Sequence, residues 1–72
     1  MGKQKLTHKK VEVIKHLLFN KPTKARDISN LVDTGIRNVN HIRKNERWIE
    51  VSTPTYERGE MLYYMLINKE EL

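Results

Sequence analysis

The chain has no cysteine among its 72 residues, which excludes a disulfide framework and a thiolate metal site and fits a reducing compartment. Histidine is sparse as well. His8, His16 and His41 share no ligand-like spacing, so neither a metal nor a cofactor is expected, and no nucleophile stands with a base at a plausible spacing, so an enzyme is not expected either. No apolar run approaches the roughly 18 to 20 residues that cross a bilayer, and the basic first residues lack the apolar segment of a signal peptide. The expectation is a cytoplasmic protein with no membrane partner. Three glycines and two prolines leave little punctuation, and there is no internal repeat, low-complexity stretch or linker. Residues 1–72 therefore read as a single domain, with 1–5 a basic arm and 68–72 a frayed tail. A domain of this length buries only about 60% of its unfolded surface, so its stability is marginal and a partner or a second copy would support it.

What the chain does have is positive charge, unevenly placed. Residues 1–48 carry twelve Lys or Arg against four acids, a net +8, whereas residues 49–72 carry two against five, a net −3. A basic front and an acidic rear suit a polyanion met by the N-terminal two thirds, although excess lysine also serves simply to keep a small protein in solution. The pattern on which the charge is displayed separates these readings.

That pattern lies in residues 23–47, TKARDISNLVDTGIRNVNHIRKNER. Ala25, Ile28, Leu31 and Val32 recur at helical spacing, as do Ile36, Val39 and Ile42, and Asp33-Thr34-Gly35 between them reads as a tight turn. Thr23 is the expected cap of the first of these helices, Asp33 or Thr34 of the second, and Gly35 is expected to supply the left-handed or otherwise tight conformation between them. Taking Val39 as the buried centre, the 100° step puts Arg37, His41 and Lys44 on the opposite side, flanked by Asn38, Asn40 and Asn45. A polar outer face is ordinary for a surface helix, but this one has no acid before Glu46. Asn pairs bidentately with adenine and Arg with guanine, so such a face suits DNA base edges. Lys24 and Arg26 stand in the first turn of the preceding helix, where a cation is unfavourable unless an anion lies nearby. A first helix is expected over about 8–19, capped by Thr7 with Leu6 and Val11 as a hydrophobic staple, burying Val11, Ile14, Leu17 and Leu18 and leaving Lys9, Lys10, Lys15 and His16 in solvent. Val13 and Phe19 are further core candidates.

From Trp48 the period changes. Residues 48–53 alternate, 54–60 contain Pro54 and Gly59, and 61–67 are a β-prone apolar run, which predicts a hairpin with Ile49 and Val51 facing the helices, matched by Leu62, Tyr64 and Leu66 or, in the other register, by the nearly as apolar Met61, Tyr63, Met65 and Ile67. Trp48 is expected at the end of the third helix. The fold class expected is thus α+β, three helices followed by a two-stranded β-hairpin.

With TKARDISNLVDTGIRNVNHIRKNERWIEVSTP followed by YERGEMLYYML, the chain resembles the winged helix-turn-helix domains of small bacterial and bacteriophage DNA-binding proteins, over nearly all of residues 6–67. It departs from them at Arg47, where that phage group usually has glycine. The resemblance implies that the third helix enters the major groove and that the wing at 54–60 touches the flanking backbone or minor groove.

The partner expected is double-stranded DNA, recognised in a sequence-specific way by a transcriptional regulator or recombination accessory factor. Base contacts are expected from Arg37, Asn38, Asn40, His41 and Lys44, and backbone contacts from Lys9, Thr23, Lys24, Arg26, Thr34, Arg43 and Arg58. A homodimer is a further possibility. The competing readings are a module that binds a host protein through an exposed Trp48, Tyr56 and Tyr63 patch, and a weakly selective nucleoid or RNA binder.

Overall fold

Thr7 caps the first helix as the sequence suggests, its Oγ1 accepting from the Lys10 amide at 3.2 Å in the computed structural model, which describes residues 6–70. Helix α1 (His8–Lys15) follows and runs straight into a π-helical segment (His16–Asn20), closed by the Lys21 amide donating to the His16 carbonyl at 3.0 Å. Helices α2 (Ala25–Val32) and α3 (Ile36–Arg43) are joined by a three-residue turn, and α4 (Tyr56–Ile67) closes the chain. The expected basic arm at 1–5 and the last two residues of the expected tail lie outside the described residues.

Helix α1 is the central element: α2, α3 and α4 all pack on it, α2 packs on α3, and α4 also covers the π-helical segment. The core is drawn from every helix, with Val11, Val13, Ile14 and Leu17 meeting Ile28, Val32, Val39, Ile42, Val51 and Leu62. Leu6, Leu18, Ala25 and Trp48 pack partly buried against it.

The three upstream helices are present, but the α+β class with a β-hairpin wing is overturned. All the regular elements among the described residues are helical, and the residues expected to form the returning strand belong to α4. Three local facts explain the difference. Thr55 caps α4, its Oγ1 accepting from the Arg58 amide at 3.2 Å, with Glu57 favourably placed in the first turn. Gly59, taken as a turn former, serves instead for close approach: α4 lies so near α1 that a Cβ there would fall 2.8 Å from His16 Cε1 and nearer still to Nδ1 and Cγ. With the loop absorbed, the apolar run joins a twelve-residue helix that buries Leu62 and half-buries Tyr63, Met65 and Leu66, while Tyr64, expected to face the helices, is exposed. A short apolar run has no period that separates strand from helix.

The first expected strand is also absent. Val51 donates its amide to the Trp48 carbonyl at 3.1 Å, closing a turn that buries Val51 and leaves Ile49 65% exposed, where a strand would have put both on one face. Lys15 anchors this turn. It is buried rather than in solvent, and its Nζ donates to the Trp48 carbonyl at 2.8 Å and to the Val51 carbonyl. Those two bonds supply a donor to carbonyls that have no helix or sheet partner.

His16 is likewise buried, not a surface residue. Asn20 Nδ2 donates to both the Pro54 carbonyl (2.9 Å) and His16 Nδ1 (3.0 Å); since a carbonyl fixes that nitrogen as the donor, Nδ1 accepts and Nε2–H donates to Glu60 at 2.8 Å. The Tyr56 ring stands edge-on to the imidazole at 5.3 Å. Lys21 pairs with the same Glu60 carboxylate at 3.0 Å and lies over the Tyr63 ring. These contacts bind α4 to the π-helical segment. Phe19, a core candidate, is exposed.

Candidate nucleic-acid interface

The turn between α2 and α3 differs in detail from its expected chemistry. Asp33, not Gly35, takes the left-handed conformation (φ 60°), and the Thr34 amide reaches back to the Ser29 carbonyl at 3.1 Å. Asp tolerates that region because its short polar side chain bonds locally. Gly35 is extended at the start of α3 (φ −71°, ψ 146°) and no side chain caps that helix. Thr34 is buried, and its Oγ1 accepts from Asn38 Nδ2 at 3.0 Å, so the hydroxyl expected at a backbone contact is engaged within the fold. Thr23 does not cap α2: Lys24 occupies that position without a side-chain bond, and the Thr23 hydroxyl donates to the Lys21 carbonyl.

Helix α3 stops at Arg43 because Asn45 turns left-handed (φ 61°). The Glu46 amide then bonds the His41 carbonyl at 2.8 Å and the Asn45 amide the Ile42 carbonyl at 3.0 Å, the two bonds of a Schellman stop. Asn is the usual alternative to glycine at such a position, which accounts for a chain that needs no glycine near Arg47.

On α3, Val39 and Ile42 are buried whereas Ile36 is exposed, and Arg37, Arg43 and the C-cap Lys44 are exposed with Asn38, Asn40 and His41 half-buried. Arg43 donates to Asn40 Oδ1 at 3.5 Å. His41 Nδ1 lies 2.7 Å from Glu46 Oε1, and that contact is the main reason the Glu46 carboxyl is held below its usual value. Lys9, Lys24 and Arg26 are exposed on α1 and at the start of α2.

The cations of the fold divide into two groups. Lys21 and Arg58 are neutralised by acids, and Lys15 is consumed by backbone carbonyls. Among the described residues Lys9, Lys24, Arg26, Arg37, Arg43, Lys44 and, past the end of α4, Lys69 form no ion pair. Arg47, not singled out for a contact role, is exposed and equally without one; its position just past the Schellman stop was the available signal. Arg58 is the expected contact that the fold removes. With no wing to carry it, it sits in the first turn of α4 and donates through Nε to Glu12 Oε1 at 2.8 Å, with its NH2 group 3.3 Å from Oε2. Those bonds, with a further one from His8, keep the buried Glu12 carboxyl below its usual value. Of the proposed aromatic patch, Tyr56 is exposed while Trp48 and Tyr63 are half-buried.

No group of His, Asp or Glu among the described residues is arranged to hold a metal ion, and no helix there is long and apolar enough to cross a membrane. Comparison with protein-family models, with curated proteins and with solved structures finds no match.

Proposed function

We propose that this chain binds double-stranded DNA in a sequence-dependent way, with α2, its turn and α3 acting as a helix-turn-helix and α3 as the helix presented to the major groove. The observation that carries this reading is the group of exposed cations on and beside α2 and α3: Lys24, Arg26, Arg37, Arg43, Lys44 and Arg47 form no ion pair among the described residues, whereas Lys15, Lys21 and Arg58 are engaged within the fold. Exposed unpaired cations attract phosphates, and each phosphate they neutralise adds about 0.9 to the slope of log affinity against log salt. Arg37, Asn40, His41 and Lys44 are the candidates for base edges, with Asn38 offering its carbonyl oxygen while its amide is held by Thr34. Lys9, Lys24, Arg26 and Arg43 are the candidates for the backbone. The biological role that suits so small a reader is transcriptional regulation or accessory work in recombination in a bacterium or a phage.

The test is fluorescence-anisotropy binding to a random-sequence duplex pool at two salt concentrations, with sequencing of the bound fraction. Enrichment of a short site with affinity that falls as salt rises is the expected result. Affinity with no enrichment would move the reading to a nucleoid or RNA binder, and absence of binding at low salt would remove nucleic acid altogether.

A further inference from the structure

One apolar side chain of α3 has no place in the core. Val39 and Ile42 are buried at 0% and 1%, while Ile36, whose spacing joins it to their stripe, keeps 47% of its surface in solvent. Local stability does not call for an isoleucine there. Ile36 is the first residue of the helix, directly after Gly35 and with no side-chain cap, and alanine is the better helix former. An isolated exposed isoleucine is ordinary in itself; the neighbours of this one give it a meaning.

At 100° per residue Ile36 lies about 60° from Val39, on the flank away from Ile42, and Asn40 and Arg43 fall within about 40° of it, one and two turns further along. The bond from Arg43 to Asn40 Oδ1 at 3.5 Å runs along that same flank. From its N-terminal end the flank therefore carries an apolar group, then an amide, then a guanidinium. That order suits a helix whose N-terminal end reaches base edges and whose other end meets the backbone. A helix with its side chains is about 10–12 Å across and the major groove about 12 Å wide, so a helix seated there brings its flanks to the bases along with its outermost face.

The groups by which base pairs differ in the major groove of unmodified DNA are hydrogen-bond donors and acceptors with one exception, the C5 methyl of thymine. An isoleucine makes no hydrogen bond, so one group there suits it. We propose, resting on the DNA reading above, that Ile36 packs on the methyl of a thymine and makes that base part of the recognised site. Successive Cα atoms are about 3.8 Å apart and successive base pairs about 3.4 Å, so this thymine lies within about two base pairs of the base that Arg37 reads. Ile36 thereby sets a position in the site that the polar residues of α3 do not.

The test takes the duplex enriched from the random pool and replaces each thymine in turn by deoxyuridine, which deletes the methyl and keeps the pairing. Binding is measured by anisotropy for wild type, Ile36→Ala and Arg37→Ala. One thymine is expected to matter: losing its methyl should weaken wild-type binding about fourfold, the equivalent of roughly 0.8 kcal/mol for one buried carbon. For Ile36→Ala the same replacement should change affinity less than about 1.5-fold, because the partner of the methyl is already gone. Ile36→Ala should leave binding to an unselected duplex and the salt slope as in wild type, since an apolar side chain neutralises no phosphate, whereas damage to the fold would lower both. Arg37→Ala should relax selection no more than about two base pairs from that thymine. A site in which no thymine methyl matters, or one whose loss costs wild type and Ile36→Ala the same, overturns the inference and leaves the DNA reading standing. A pool that yields no enriched duplex overturns sequence reading itself, and this inference with it.

Discussion

Replacing Gly59 by alanine opposes two physical effects of known size. Gly59 lies inside α4, and helix propensity alone favours alanine there by about 0.8–1 kcal/mol. Packing opposes it: the added Cβ would lie 2.8 Å from His16 Cε1 and closer to Nδ1 and Cγ. A flexible side chain would swing aside at little cost, but this ring is fully buried and held at both nitrogens, by Glu60 at 2.8 Å and Asn20 at 3.0 Å. Moving it breaks those bonds or pushes α4 off α1. Overpacking of this kind costs typically about 1–3 kcal/mol, and the pinned ring puts this site toward the upper end. The net expectation for Gly59→Ala is a loss of about 1–2 kcal/mol out of a total of about 4–10 kcal/mol for a chain of this length. At about 4–8 °C per kcal/mol the melting temperature should fall by roughly 5–15 °C. Urea titration followed by circular dichroism measures it, with an unchanged m-value showing that stability alone has moved. In a His16→Ala background the obstacle is gone, and the same substitution should become neutral or stabilising. A Gly59→Ala variant at least as stable as wild type, or one that costs the same in both backgrounds, would refute the account of why α4 carries a glycine.

Lys15→Met should cost about 1–3 kcal/mol, since it leaves the Val51 carbonyl without its donor and takes from the Trp48 carbonyl one of its two, and should shift the emission of the sole tryptophan to the red as the connection loosens; an unchanged spectrum would dismiss Lys15 as its anchor. Stability should fall in acid. Glu12 is held below its usual value first by its bonds from Arg58, and Glu60 first by His16 and then by Lys21, so both contribute in full above the ordinary carboxyl value of 4.5 and lose that contribution as pH drops through their lowered folded values. Melting curves from neutral pH to pH 3 test this, and Glu12→Gln should flatten the dependence. Arg37→Ala should weaken binding to the preferred DNA site by about 1–3 kcal/mol and relax selection there, whereas Lys24→Ala should weaken all duplexes alike and lower the salt slope by about one. Equal binding by wild type and both variants would dispose of the α3 interface.

Much of residues 7–43 was legible because their signals are local. The Thr7 cap, the stripe Val11, Ile14 and Leu17, and the spacing of Ile28 with Val32 and of Val39 with Ile42 are each set within one or two helical turns, and the acid-free outer face of α3 follows from the same period. Several of the misjudged residues share a different property: they answer to a partner far along the chain. Lys15 and His16 read as solvent residues because lysine and histidine usually are, yet one is tied to carbonyls 33 and 36 residues away and the other to a carboxylate 44 residues away. Gly59 and Pro54 read as a hairpin loop because those residues favour turns, while here the glycine admits a ring from α1 and the proline precedes a capped helix.

The sequence by itself determined the helical N-terminal half, the turn that joins α2 to α3 and the excess of cations over it, since periodicity, capping and charge need no knowledge of what packs where. Only the tertiary structure decided that residues 56–67 are a helix, that Arg58 serves Glu12 rather than a wing, and that Ile36 is left exposed at the start of α3. The reason is that a short apolar run carries no period of its own, so its conformation is settled by which surface of α1 it must cover and by how closely Gly59 lets it approach.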